Sequence, residues 1–287
     1  MDFKDVTPAD KQWIAPLVLE SDRYLCEYSF ADIYCWGSVY GMQAAKVDGA
    51  LVLKLGKDSY TWPVGKEPVK AVERLMTESG KIKLSCLQPD DVKLLEQHFA
   101  GRFTFSSNRN YADYIYESEK LITLSGKKLA SKRNHINYFE NNFDWYVQPI
   151  TSDNISLVRK FNDEWCKKNG CGMDKALKNE QCAIERAFNN FEQLGLEGLV
   201  LFADGKVAAF SWGEPINSEY YCVHIEKAMF DQRGAYQMIN REFAKAYAAH
   251  YKYINREDDT GDQGLRRAKE SYHPIMIAEK YTATQII

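Results

Sequence analysis

The segment at residues 253–274 decides how this chain is interpreted, and it reads YINREDDTGDQGLRRAKESYHP. A short apolar run predicts a strand, an acidic turn follows, and an amphipathic helix then ends before Pro274. Leu265, Ala268 and Tyr272 fall on one face of that helix, and most of the charges lie off it. Because α/β sheets usually bind ligands where their strands end, we expect the turn to form one wall of a functional cleft.

The composition indicates a globular protein with enough apolar residues for a core. The chain has 287 residues, of which 45% are hydrophobic and 27% charged, and its formal net charge is −3. This charge gives no general attraction for polyanions, although local basic patches are compatible with it. The segment 1–6 lacks the features of a signal peptide, and no apolar run approaches the ~18–20 residues that cross a bilayer. We therefore expect a cytoplasmic protein with no stable membrane insertion.

The seven cysteines are scattered and form no Cys-x-x-Cys pair, which favours free thiols in a reducing compartment. Cys166 and Cys171 bracket Lys-Lys-Asn-Gly and are either half of a metal site or two buried thiols. Because the sequence offers no second ligand pair, we expect thiols and no metal.

Residues 1–118 form the first predicted unit. Asp48-Gly49 lies between two apolar runs and predicts a β-hairpin, since the glycine accepts a positive φ. The predicted helices span 7–20, 30–36, 69–77 and 89–99, and the predicted strands span 42–47, 50–55, 59–63, 82–86 and 103–106. The segment 111–116 closes this unit.

Residues 119–142 read as a basic connecting helix. Lys132, Arg133 and His135 alternate with amides and aromatic residues, as in surfaces that contact phosphate or RNA. The same run is equally typical of a solvated helix face. Both interpretations remain open at this point.

Residues 143–287 repeat the element order of the first unit, with a second Asp-Gly hairpin at Asp204-Gly205. Predicted strands span 145–150, 198–203, 207–214 and 220–227, followed by one at 253 and a last strand over 276–281; predicted helices begin at 153, 180 (to 194), 234 and 265. The repeated order predicts an α+β fold made by duplication.

Several local motifs carry a family resemblance. They are LSGKKL at 124–129, KRNHIN at 132–137, Tyr138, HIEKA at 224–228, INRED at 254–258, GLR at 264–266 and AKESY at 268–272. They resemble the bacterial family named for the C-terminal domain of phosphatidylglycerol lysyltransferase. The resemblance implies two tandem GNAT-like (acyl-CoA N-acyltransferase-like) domains, each a mixed, mostly antiparallel sheet flanked by helices. The namesakes move an amino acid from charged tRNA to a lipid head group, and relatives of similar build extend peptidoglycan precursors.

The GNAT resemblance implies a donor site in the loop 230–236, where a helix N-terminus would meet a pyrophosphate. Arg233 and Gly234 are the binding candidates there. If Gly234 takes the first glycine position of the coenzyme A motif, Asp231 stands where Gln or Arg belongs and Tyr236 where a small residue belongs. Acyl-CoA and aminoacyl-tRNA both remain open as the donor, and Gly234 also reads as an ordinary glycine before a helix.

The catalytic candidates are His224, Glu226 and Tyr272. Strand alternation predicts that His224 and Glu226 point to one face, where either is a base for an acceptor amine or the two form a structural pair. Tyr272 lies near the tyrosine that acts as general acid in ordinary GNAT enzymes, and it also fits a buried helical stripe.

The remaining candidates bind substrate. Glu257 and Asp258 are expected to bind a cationic aminoacyl or amine group, whereas Asp262 is expected to cap the following helix. The full set of substrate-binding candidates is Asn255, Arg256, Glu257, Asp258, Arg233, Gly234, Lys132, Arg133 and His135. No nucleophilic triad or P-loop motif is present.

The predicted function is acyl or aminoacyl transfer by direct attack of an amine or hydroxyl acceptor on an activated ester. The partners expected are a small-molecule acceptor and tRNA. The alternative is a non-catalytic ligand-binding protein that retains the fold.

Overall fold

The computed structural model describes residues 1–286 and contains helices and strands in both halves of the chain. The helices are α1 Lys11–Leu19, α2 Phe30–Tyr40, α3 Pro68–Ser79, α4 Pro89–His98, α5 Ser118–Thr123, α6 Ala130–Asn142, α7 Ile155–Asn169, α8 Lys175–Asn189, α9 Phe191–Leu194, α10 Ala235–Tyr247 and α11 Gln263–Glu270. The strands are β1 Lys4–Asp5, β2 Gln43–Val47, β3 Ala50–Gly56, β4 Ser59–Thr61, β5 Lys83–Leu87, β6 Phe103–Ser107, β7 Asp113–Glu117, β8 Trp145–Pro149, β9 Glu197–Ala203, β10 Lys206–Pro215, β11 Tyr220–Ala228, β12 Tyr253–Asn255, β13 Met276–Ala278 and β14 Tyr281–Gln285.

The strands form two seven-stranded sheets of matching design. The first has the order β1-β2-β3-β4-β5-β14-β6, and the second, read from its other edge, has the order β8-β9-β10-β11-β12-β7-β13. Each sheet contains a single parallel pair, β4 with β5 and β11 with β12, and is otherwise antiparallel. This confirms the predicted α+β class with two mixed, mostly antiparallel sheets.

The two halves exchange one strand each. Strand β7 leaves the first half and lies between β12 and β13, while β14 returns from the chain's end to lie between β5 and β6. The predicted unit boundary at residue 118 therefore coincides with the end of a strand that belongs to the second sheet. A strand placed in the middle of the other sheet ties the halves together through its backbone hydrogen bonds.

Three apolar cores support the sheets. One lies against α3 and α4 in the first sheet, and one lies between the second sheet and α5, α6 and α10. The largest joins the halves, with residues from α1 and α2 packed against α7, α8 and the second sheet. The face of the second sheet that turns toward α2 is consequently buried between the halves.

Four sequence predictions need correction. The connecting helix is interrupted at Leu124, which has a positive φ of 50°, and so becomes α5 and α6. The predicted last strand is two strands, β13 and β14, because the chain crosses there from one sheet to the other. The helix predicted over 180–194 is α8 and α9. Cys166 and Cys171 form a disulfide, not free thiols, because the turn after α7 brings their Cα atoms to 5.2 Å.

Within the described residues 1–286, none of the helices has the length and apolar character required of a membrane span.

Candidate functional site

The second sheet splits where its parallel pair ends. Pairing between β11 and β12 stops at Cys222 and Asn255, while β11 continues to Ala228 beside β10. Side chains beyond that point line an opening between two strands that are no longer hydrogen-bonded to each other. His224, Glu226, Arg256 and Glu257 all lie there, so the structure brings these sequence candidates together.

A β-bulge separates His224 from Glu226. The register between β10 and β11 shifts between Trp212 and Gly213, which pair with Ile225 and Val223 and leave His224 unmatched. His224 and Ile225 therefore both turn toward α2 and α8, and Glu226 turns to the opposite face. The prediction that His224 and Glu226 share a face is wrong, because simple alternation does not hold across a bulge.

On the face toward α2, His224 lies between two carboxylates. Its Nδ1 lies 2.7 Å from Glu257 Oε1, and its Nε2 lies 3.4 Å from both Glu214 Oε1 and Ser29 Oγ. Glu214 also accepts a 2.5 Å hydrogen bond from Ala31 N in the first turn of α2, where free N–H groups favour an anion. We call His224, Glu214 and Glu257 the histidine cluster.

The electrostatics of the histidine cluster favour an imidazolium. Burial opposes the charge on His224, but contacts with Cys222, Glu214 and Glu257 outweigh it and raise its pKa well above the usual value. Burial raises the pKa of the nearby Asp32 carboxyl well above its usual value, which Glu257 reinforces. The cavity that His224 and Asp32 line between α2 and α8 has a volume of about 20 Å³, roughly room for one water molecule.

A second buried network adjoins this cluster. Lys280 lies 2.6 Å from Glu27 and 2.7 Å from Asp113, and Asp258 lies 3.8 Å away. Asn255 donates to Asp113 at 2.8 Å and accepts from Glu257 N at 2.7 Å. These contacts fix the start of the acidic turn, so Asn255 and Asp258 hold the turn in place against the first half.

On the opposite face, Glu226 and Arg256 form the second pair across the split. Arg256 Nη2 lies 3.0 Å from Glu226 Oε1, and Asn240 Nδ2 donates to Glu226 Oε2 at 2.8 Å. Arg256 Nη1 and Asn240 Oδ1 are buried and have no hydrogen-bond partner among residues 1–286. Unpaired buried polar atoms are uncommon and costly, which marks this face as one that accommodates further polar groups.

Tyr272 borders the same pair. Its ring lies 4.9 Å from the Arg256 guanidinium and 4.2 Å from Lys132 Nζ. Burial raises the pKa of Tyr272 well above its ordinary value, so the phenol keeps its proton at neutral pH. Tyr272 lies two residues beyond the end of α11 rather than on the helical stripe, and Leu265, placed on that stripe, is 41% exposed. We call Glu226, Arg256 and Tyr272 the arginine cluster.

The rest of the acidic turn is structural. Although burial opposes ionisation, hydrogen bonds from Arg266 and Tyr114 hold the pKa of Asp259 well below its usual value. Asp262 accepts from Leu265 N at 2.6 Å, which confirms the predicted helix cap. Lys269 is buried and donates to the carbonyls of Arg256 and Asp258. These hydrogen bonds fix the conformation of the turn.

Within the predicted donor loop, Gly234 packs tightly against α6. Gly234 has a φ of +95°, and a Cβ there would overlap the carbonyl oxygen of His135 on α6. Arg233 stacks on Tyr138 at 4.4 Å, and Arg133 donates to the carbonyls of Leu124 and Gly126. The glycine is therefore explained by close contact with α6, and Arg133 by closure of the α5–α6 turn.

Two groups of potential metal ligands lie near the split. They are Cys222, His224 and Glu257, and Cys26, Glu27 and Asp113. Lys280 already supplies the positive charge to the second group. In the first group, burial raises the pKa of Cys222 to about 12, which opposes the loss of the thiol proton that metal ligation requires.

Sequence reasoning missed several buried polar residues of the site. They are Ser29, Asp32, Asp113, Glu214, Lys269 and Lys280, together with the half-buried Ser271. Glu214 ends a long apolar strand and Asp32 lies in an apolar helix. A charged residue within an apolar run was the feature of the sequence that could have identified both as site residues. Lys280 carried no signal, since its partners come from distant segments.

Comparisons with known proteins identify the family of this chain. The family described as phosphatidylglycerol lysyltransferase, C-terminal, matches residues 20–284. The chain belongs to this family. A conserved protein of unknown function from Bacteroides thetaiotaomicron VPI-5482 is 41% identical over 100% of both chains, with a TM-score of 0.95.

More distant structures share the fold. L-PGS from Bacillus licheniformis has a TM-score of 0.64 at 16% identity, covering 96% of this chain and 92% of that one. FemX has a TM-score of 0.58 at 10% identity, covering 98% and 97%. An uncharacterized protein of Mycoplasmoides gallisepticum is 28% identical over 174 residues, which is 59% of this chain and 54% of that protein.

Proposed function

We propose that this protein is an acyl- or aminoacyltransferase that moves the group from an activated ester to an amine or hydroxyl acceptor. The observation that carries the proposal is the split between β11 and β12, where Glu226, Arg256 and Tyr272 meet on one face. Such a set provides a proton acceptor, a cation and a proton donor at one place. Membership of the lysyltransferase family supports the same reaction class.

The arginine cluster suits the chemistry better than the histidine cluster. On the histidine face, contacts with Cys222, Glu214 and Glu257 raise the pKa of His224 well above its usual value, which makes it a poor proton acceptor. On the other face, the Glu226 carboxylate is the base that takes the acceptor's proton as its nitrogen or oxygen attacks the acyl carbonyl. Arg256 stabilises the oxyanion, and Tyr272 returns a proton to the leaving oxygen.

We assign supporting roles to the other candidates. His224 and Glu257 hold the strands of the split at a fixed spacing, while Asn255 and Asp258 anchor the turn. Lys132, Arg233 and His135 belong to the basic surface of α6 and the loop before α10, which faces the arginine cluster. That surface suits the phosphates of a tRNA donor.

The donor that fits best is an aminoacyl-tRNA. Coenzyme A would need the N–H groups at the start of α10, but α6 packs directly against Gly234 there. Asp231 stands in the same loop where the coenzyme A motif has Gln or Arg, and it pairs with Lys168 at 3.2 Å. A lysyl donor and a lipid head-group acceptor are the pair that the family description suggests.

A transfer assay with a panel of aminoacyl-tRNA and acyl-CoA donors tests the proposal, with Glu226→Gln and Glu257→Gln as the variants. Glu140→Gln is the matched control, because Glu140 also pairs with an arginine, Arg241 at 2.6 Å, but away from the split. We expect loss of transfer in Glu226→Gln and retention in Glu140→Gln. Absence of transfer by the wild type with every donor would refute the proposal.

The tight packing of α6 against Gly234 also supports a second candidate, a ligand-binding protein without activity. It predicts no stabilisation by coenzyme A in a thermal-shift assay and no retention of charged tRNA on a filter. Either binding signal from the wild type would exclude this second candidate.

A further inference from the structure

A lysine and a serine meet beside the arginine cluster. Lys132 on α6 lies with its Nζ 2.6 Å from the Oγ of Ser271, the residue that follows α11. Ser271 is partly exposed, and its hydroxyl donates to Ala268 O at 2.6 Å. Lys132 lies over the ring of Tyr272, the neighbour of Ser271, so this contact belongs to the same face as Glu226 and Arg256.

The surroundings of Lys132 shift the pKa of its amine downward. Burial lowers its pKa, the charge of Arg256 from β12 lowers it further, and Glu226 from β11 opposes the change. His135, one turn along α6, adds a side chain whose own pKa is lowered by burial and by nearby cations. A lysine with a lowered pKa serves as a general base more readily than one in water.

We propose that Ser271 is a nucleophile and Lys132 its general base, so that the acyl group is carried on Ser271 before it reaches the acceptor. This inference rests on the proposed transferase function and replaces direct attack on the donor with two steps. The geometry needed is a nucleophile within hydrogen-bonding distance of its base, which the 2.6 Å contact meets.

The first step forms a serine ester. The Ser271 hydroxyl turns from Ala268 O to Lys132 Nζ, which takes its proton while Oγ attacks the ester carbonyl. The carbonyl–oxygen bond of the donor breaks, and the Lys132 ammonium returns the proton to the leaving alkoxide. The products are acyl-Ser271 and the free alcohol. Arg256, with its unpaired Nη1, supplies a hydrogen bond to the oxyanion.

The second step transfers the group. The acceptor amine attacks the carbonyl of acyl-Ser271 and gives a proton to Glu226, and the bond between Oγ and the carbonyl carbon breaks. The proton then passes from Glu226 to Lys132, which the first step left neutral, and Lys132 delivers it to Oγ. No oxidant or further reactant is required.

The competing explanation is structural: Lys132 and Ser271 only stabilise the C-terminal end of α11, where a cation is favourable.

The experiment uses the full chain and p-nitrophenyl acetate as the probe, with release of nitrophenolate and intact-protein and peptide mass spectrometry as readouts. We expect a burst of one acetyl group per chain on Ser271, cleavable by hydroxylamine as an ester is. Ser271→Ala should abolish the burst, and Lys132→Arg, which keeps the charge, should slow it by at least about 100-fold. Ser125→Ala is the matched control, since Lys120 contacts Ser125 at 3.2 Å on an exposed loop.

The alternatives give different results. A hydroxylamine-stable acetyl group on Lys132, an unchanged burst in Ser271→Ala, or full activity in Lys132→Arg would each overturn the serine carrier and favour the structural explanation. If the wild type is not acetylated but still transfers from its natural donor, the carrier is wrong and the proposed function stands. If Ser271 is acetylated but no donor in the panel supports transfer, Ser271 is shown to be a nucleophile and the transferase assignment fails, and with it the role of Ser271 as a carrier.

Discussion

The two sheets open at equivalent places, between β4 and β5 in the first and between β11 and β12 in the second, and the openings are filled differently. In the first, the hydroxyl of Tyr28 lies 3.3 Å from Trp62 O and 2.9 Å from Cys86 O and joins both strands. Tyr28 and Trp62 are almost fully buried. In the second, two ion pairs span the gap, one on each face of the sheet.

This difference separates a structural opening from the one to which the proposed function assigns chemistry. A tyrosine and a tryptophan fill the first split with apolar surface and satisfy its carbonyls with a neutral hydrogen bond. Charged groups in the second split are costly to bury, and such pairs seldom gain much stability over apolar packing. In the first sheet the buried pair of Arg23 with Asp91 lies beside Tyr28, whereas in the second sheet the ion pairs span the split itself. The proposed function gives a chemical role to the spanning pair of Glu226 and Arg256.

The largest expected effect is on transfer by Glu226→Gln. Loss of the proton acceptor should reduce the turnover by about 10²–10⁴-fold while the Asn240 contact, and hence the fold, is retained. Steady-state transfer kinetics measure this, and the unfolding curve serves as the fold control. A variant as active as the wild type would mean that the arginine cluster is structural, like the first split.

The second expected effect is on stability. His224→Gln removes the cation between Glu214 and Glu257 and leaves the buried Glu214 and the half-buried Glu257 without their partner. We expect a loss of about 3–5 kcal/mol in the free energy of unfolding, measured in urea. His250→Gln, a change at an exposed histidine, is the control. A loss below that of an ordinary surface substitution would show that the histidine cluster does not hold the split.

The third expected effect is a pH dependence of the free energy of unfolding that arises from the second split and not from the first. In the folded protein the pKa of His224 is raised above 6.5, its ordinary value. The protonated side chain therefore contributes its full stabilisation at a pH below the pKa of the unfolded chain. This stabilisation is lost as the pH rises through the pKa of the folded protein. Between these two values the free energy of unfolding should fall by up to about 1.4 kcal/mol per pH unit. The slope is obtained from urea curves taken from pH 6 upward.

The control for this pH dependence of the free energy of unfolding is His224→Gln, which should not show it. The burial of Tyr28 raises its pKa well above 10, so the first split contributes no slope in the same range. Equal slopes in the wild type and in His224→Gln would assign the titration to other groups.

The smallest expected effect is that of Tyr28→Phe in the first split. Loss of the hydroxyl leaves the carbonyls of Trp62 and Cys86 without this donor and should cost about 1–3 kcal/mol. Transfer activity should be unchanged, because the variant does not touch the second split. A large loss of transfer at unchanged stability would break the distinction between the two openings.

Much of the fold could be predicted from the sequence. The two Asp-Gly hairpins, the apolar periodicity and the helix boundaries depend on neighbouring residues, and they place nearly every element within a few positions. The exchange of β7 and β14 could not be predicted, because the periodicity of a strand does not record which sheet it joins. The split of the last predicted strand into β13 and β14 follows from the same limit.

His224, Glu226, Arg256 and Glu257 were named from the sequence and lie at the split, but their arrangement could not be predicted. Alternation placed His224 and Glu226 together, and the bulge opposite Trp212 and Gly213 separated them. Bulges depend on the partner strand, so one strand's sequence does not reveal them.

The sequence by itself determined the α+β class, the repeated element order and the presence of polar residues around the acidic turn, since each depends on short-range patterns. Only the tertiary structure decided which of these residues meet. Glu214, Asp113 and Lys280 come from distant segments and approach the turn because the halves exchange strands and share a core. Ser271 and Lys132 are 139 positions apart and touch for the same reason.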